Sequence, residues 1–225
     1  MNQNVFPSVT TIANPAETNR VLRNTYALLA LSMVPTVLGA WVGLSFHLMN
    51  SMAGLLITLV ASFALIFAIK KTQNSSTGVF MLLAFTFVMG MMLSGSIGLV
   101  LHRQGGAEIV MLAFSATAAV FFGMTVLAAS IKRDLSSMGK FLFIGLILVV
   151  VASIANIFMQ SSALMITVAT ISAGLFSAFI LYDLKAVRDG LETNYVSATL
   201  NIYLDLVNLF TSLLQILGFL GGRDE

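Results

Sequence analysis

Seven apolar runs alternate with short polar breaks along almost the whole chain. A helix that crosses a bilayer needs roughly 20 apolar residues, and these runs are close to that length or longer. They predict helices over 26–49, 52–69, 78–101, 108–131, 140–160, 163–184 and 197–220. The first run is too long for the core of a signal peptide, which spans only about 7–15 residues, so it is expected to stay as a helix. Residues 1–20 are polar and contain Pro7 and Pro15, which predicts a mobile arm ahead of a seven-helix domain over 21–225.

Composition agrees with an all-α integral membrane protein. The chain of 225 residues is 58% hydrophobic and 9% charged, with a mean hydropathy of +0.98. A soluble domain carries roughly 25% charged residues. A net charge of +2 is too small to imply a nucleic-acid partner, and the lack of cysteine excludes disulfides and thiolate chemistry. His47 and His102 have no ligand-spaced neighbour, so neither suggests a zinc or haem site.

Charge placement predicts orientation. Arg20, Arg23, Lys70, Lys71, Lys132, Arg133, Lys140, Lys185 and Arg188 fall on one side of the spans, and Arg103 and Arg223 on the other. The positive-inside rule puts the N-terminus and its arm in the cytoplasm and the C-terminus outside. Two of the basic connections resemble each other: Ile69-Lys70-Lys71 before Ser75-Ser76, and Ile131-Lys132-Arg133 before Ser136-Ser137. A duplicated hairpin would give this pattern, and so would two turns converging on the same turn chemistry.

Small residues permit close approach of helices in lipid. Gly39 and Gly43 on the first span, Gly90, Ser94 and Gly98 on the third, and Gly174 and Ala178 on the sixth mark expected contacts. Pro35 removes one backbone hydrogen bond from the first span and predicts a kink.

The seventh span differs from the others. Asn201, Asp205, Asn208, Ser212 and Gln215 recur at helical spacing and fall within an arc of roughly 80°. A polar stripe of that length is costly against lipid tails, which predicts that the last helix sits centrally in the bundle. The stripe reads as a hydrogen-bonded seam at Asn208, Ser212 and Gln215. At Asp205 it reads as a functional group, because glue does not require a charge. A second acid, Asp183, lies near the cytoplasmic end of the sixth span, where it can face Asp205 or pair with Lys185 or Arg188. Intramembrane acids usually face a partner, water or an ion. Two close carboxylates with little water resist double ionisation and titrate as a unit. The pair can share a proton or make a weak calcium contact. A full calcium cage takes roughly six to eight oxygens, more than are evident here.

At these residues the chain resembles the Bax inhibitor-1 family, and within it the bacterial YccA-like branch. The resemblance rests on Val21-Leu22-Arg23-Asn24-Thr25-Tyr26, Ile180-Leu181-Tyr182-Asp183, Glu192-Thr193-Asn194-Tyr195, and Asn208-Leu209-Phe210 through Leu217-Gly218-Phe219. It implies a seven-helix bundle with the last helix central, in a bacterial inner membrane. In the calcium-conducting members a carboxylate pair on the last two helices is a proton-sensitive latch, and Asp183 and Asp205 occupy the matching positions. The YccA-like branch is associated instead with binding and restraining the membrane protease FtsH. The chain departs from that branch in carrying aspartate at both acid positions.

The expected function is therefore a pH-sensitive calcium leak gated by the pair, with no resident cofactor. The alternative is a regulator of the membrane protease. An enzyme is not expected: Tyr203-Leu204-Asp205-Leu206 lacks the flanking glycines of membrane-embedded aspartyl proteases, and the seventh span has no lysine for a retinal Schiff base.

Overall fold

Each apolar run folds as one long helix, since only a helix satisfies its own backbone polar groups in lipid. The computed structural model describes residues 15–135 and 137–221. The helices are α1 (Pro15–Ser45), α2 (Met52–Thr72), α3 (Ser76–Leu101), α4 (Gly106–Ser130), α5 (Met138–Met159), α6 (Ser162–Arg188) and α7 (Tyr195–Gly221). All seven are long and apolar enough to span a membrane, and no strand occurs among the described residues.

The helix ends follow from local chemistry. Ser51 and Ser161 accept the backbone N–H of Gly54 (3.0 Å) and Leu164 (3.3 Å), capping α2 and α6. Asn194 caps α7 by accepting the N–H groups of Val196 and Ser197, each at 3.0 Å. Past α6, Gly190 takes φ 75°, while Leu191 N–H donates to the Ala186 carbonyl (2.8 Å) and Gly190 N–H to that of Val187 (3.1 Å). That is the left-handed glycine stop that returns the chain on itself.

One expectation shifts at the first helix. α1 begins at Pro15, a residue suited to a first helical position, so residues 15–20 of the expected arm are helical. Residues 1–14 lie outside the described residues, as do Arg223 and Ser136. α1 also continues without a break through Pro35 to Ser45.

α1 and α3 are the most intimate pair. A Cβ at Gly39 would collide with the Phe87 carbonyl, one at Gly90 with the Thr36 carbonyl, and one at Gly43 with the Ser94 side chain. Gly174 is different: nothing lies within 4 Å of the space a Cβ would fill, so it is not a packing contact.

α7 packs directly against α1, α2, α3, α4 and α6 but not against α5. Its side chains from Val196 to Leu200 are buried. The two similar connections are not equivalent. Lys70 and Lys71 lie inside the last turn of α2, whereas Ile131-Lys132-Arg133 follow the end of α4. α2 and α3 pack together, while α4 and α5 do not touch and are bridged by α6.

A candidate carboxylate centre between α6 and α7

Asp205 projects from the third turn of α7 into the bundle and is only 7% exposed. Asp183, one turn before the end of α6, is half-buried. The packing of α6 on α7 brings the two carboxyl groups within hydrogen-bonding range of each other. Asp205 Oδ2 is buried with no partner, the only such side-chain atom among the described residues. A buried polar atom left without a partner costs about 1–3 kcal/mol, so its retention calls for a reason beyond packing.

The basic residues near Asp183 are committed elsewhere. Lys185, itself buried, forms an ion pair with the more exposed Asp189. Arg188 Nη1 donates to the Ala128 carbonyl at 3.0 Å. Lys70, from the last turn of α2, donates to Ser197 Oγ at 3.0 Å and lies within electrostatic range of Asp183, as does Glu192. The acid pair is therefore held carboxyl to carboxyl, with Lys70 as a nearby cation that the sequence alone left in a loop.

The polar stripe of α7 divides. Asn208 Nδ2 donates to the Leu204 carbonyl (2.8 Å) and Ser212 Oγ to the Asn208 carbonyl (2.7 Å). Both bonds stay within α7, so these residues do not tie neighbouring helices as a seam would. Asn201 is half-buried, and Gln215 is exposed, which corrects the expectation of a stripe enclosed along its length. Gln215 lines a cavity of about 370 Å³ between the ends of α3, α5, α6 and α7, at the end of the bundle opposite the acid pair.

A second polar centre on α7 was not read from the sequence. Tyr203 is fully buried, and its hydroxyl lies 2.7 Å from Thr36 Oγ1 on α1 and donates to the Thr86 carbonyl on α3 at 3.3 Å. Its ring meets Phe85 edge-on. A tyrosine in mid-span is a usable signal, since a buried hydroxyl seeks a partner. Asn194 does further work too. Its amide donates to the Gln73 carbonyl (3.1 Å) and to Asn74 Oδ1 (2.7 Å), tying the start of α7 to the α2–α3 turn.

No cluster of three or more His, Cys, Asp or Glu side chains occurs among the described residues. The pair alone supplies too few oxygens to hold calcium as a resident ion. What it can do is take up and release a proton at a helix–helix contact.

Comparison with known proteins fits this arrangement. Residues 18–222 match the family model described as inhibitor of apoptosis-promoting Bax1. A membrane protein of Vibrio cholerae is 37% identical over 224 residues, covering all of both chains. The Escherichia coli K12 protein named modulator of FtsH protease YccA is 36% identical over 202 residues, 90% of this chain and 91% of its own. A second Escherichia coli relative, equally similar, is named inner membrane protein YccA. With seven spanning helices and a match over nearly its whole length, the chain belongs to the Bax inhibitor-1 family, in its YccA-like branch, as a multi-pass inner-membrane protein.

Proposed function

We propose that this protein is a proton-sensitive cation leak, with calcium as the permeant ion and the Asp183–Asp205 pair as its sensor. The observation that carries this reading is the buried carboxyl–carboxyl contact with one Asp205 oxygen left unpartnered. A proton shared between the two groups lets α6 and α7 touch. Two full charges about 4 Å apart repel by about 4 kcal/mol at an effective dielectric of about 20. At about 1.4 kcal/mol per factor of ten, that shifts a two-state equilibrium nearly a thousandfold. Separation of the helices would expose the α7 stripe, which runs from Asp205 past Asn208 and Ser212. On the orientation expected from the positive-inside rule, the acid pair lies toward the cytoplasm. Calcium suits carboxylate oxygens, and two carboxylates favour brief contact over storage.

The test is calcium flux into proteoliposomes between about pH 6 and 8, a range in which a shared proton can exchange. Wild type should conduct above empty liposomes with a pH-dependent rate, and Asp183→Asn and Asp205→Asn should each flatten that dependence. PH-dependent flux that persists in both variants overturns the proposal.

A second reading, regulation of the membrane protease FtsH, is favoured by the Escherichia coli relative named as its modulator. On this reading the segment before α1 reaches the protease. Removing residues 1–14 should change substrate turnover by co-purified FtsH. Failure of the two proteins to co-purify removes the basis for this reading.

A further inference from the structure

The cavity at the other end of the bundle lies where α5 stands away from α7. α5 packs on α6 but on neither α3 nor α7, so the gap between α3 and α5 opens sideways toward the bilayer. Its walls come from the last turns of α3, α5 and α7 and the first turns of α6, which places it just inside the membrane edge. Met165 and Val168 contribute apolar lining, while Ser96, Asn156 and Gln215 contribute polar groups. The hydroxyl of Ser96 and the amide of Gln215 have no hydrogen-bond partner among the described residues. At the rim stands Arg103, two residues past the end of α3.

Arg103 is not loose. Its Nη1 donates to the carbonyl of Gly218, in the final turn of α7, where helix carbonyls lack intrahelical partners. A guanidinium has five donors, so fixing it through one leaves the others available over the cavity. The rim therefore carries a positioned positive charge with neutral donors beneath it and an apolar wall below. A cation would not be drawn to such a rim; an anion with an attached hydrocarbon would. At about 370 Å³ the cavity is at the small end of ligand sites, which run from about 300 to 1,000 Å³. It has room for a headgroup and the start of a chain, with the rest of the molecule leaving through the open side.

We propose that this cavity binds the anionic phosphate headgroup of a membrane phospholipid, with Arg103 as its counter-charge and Gln215 and Ser96 as neutral donors. The planar fork of an arginine suits the oxygens of an anionic phosphate.

The experiment is native mass spectrometry of the full chain in detergent, titrated with phosphatidylglycerol or with phosphatidylcholine. Wild type should retain the anionic lipid at about tenfold lower concentration, the scale of one charge-assisted hydrogen bond. Arg103→Gln should equalise the two lipids, and Arg103→Lys should keep most of the preference. Ser153→Phe, which fills the cavity from α5 and leaves the charge in place, should abolish retention of both. Equal retention of the two lipids by wild type overturns the proposal, as does a preference that survives both Arg103→Gln and Ser153→Phe. Displacement of the bound lipid by inorganic phosphate at equal concentration also overturns it, in favour of a free-anion site. If Arg103→Gln does not fold, Ser153→Phe decides alone: a lost preference supports the lipid site and a kept one refutes it.

Discussion

Two polar centres sit two residues apart on α7, at Tyr203 and Asp205, and they are finished differently. The Tyr203 hydroxyl is enclosed between α1 and α3 and has a partner on each. Asp205 is nearly as buried, faces a second acid, and keeps an oxygen with no partner at all. Two residues along a helix turn the side chain by about 200°, so the two centres address opposite sides of the bundle. One side is the glycine-seated contact of α1 with α3. The other is the contact of α6 with α7. Satisfied polar groups fix a packing arrangement; an unsatisfied acid pair costs stability and, on the proposed function, serves as the proton-responsive group.

The largest way to break the comparison is at the base of the satisfied side. Gly90→Leu places a side chain against the Thr36 carbonyl and should cost about 3 kcal/mol, the upper part of the range for overpacking. It should be read as a large fall in the thermal unfolding temperature in detergent. Gly174→Ala, which meets nothing within 4 Å, should leave that temperature unchanged. If both behave alike, the glycine contact does not anchor the bundle. Asn194→Ala removes the cap of α7 and its bonds to the α2–α3 turn, and should cost about 1–2 kcal/mol by the same measurement. Tyr203→Phe should cost about 0.6 kcal/mol, the average for a hydrogen bond between membrane helices. Asp205→Asn should change stability least, because the amide keeps the shape, can donate to Asp183, and removes a buried charge. A loss of more than about 2 kcal/mol in Asp205→Asn would make the acid a structural member like Tyr203.

The spans were legible because hydrophobic length marks the part of a helix inside the membrane. The helix ends were less so: α1 starts at Pro15, well before the apolar run, and α6 carries on to Arg188. Helices continue past the bilayer as long as their residues permit, and hydropathy does not record that. The acid pair was legible because a charge in an apolar run stands out. Its freedom from Lys185 and Arg188 was not: Lys185 pairs instead with Asp189, four residues on, and Arg188 is claimed by the Ala128 carbonyl, which only the fold brings near. Gln215 was placed with the enclosed stripe because its spacing fits, yet it lines an open cavity. That cavity exists because α5 fails to reach α7, a tertiary fact that no local pattern encodes.

The most direct measurement is the pH profile of calcium flux for Tyr203→Phe and Asp205→Asn side by side in proteoliposomes. The account predicts a wild-type profile in Tyr203→Phe and a flat one in Asp205→Asn. A flat profile in Tyr203→Phe with a wild-type profile in Asp205→Asn would contradict it, moving the proton-sensitive element to the α1–α3 side of the last helix.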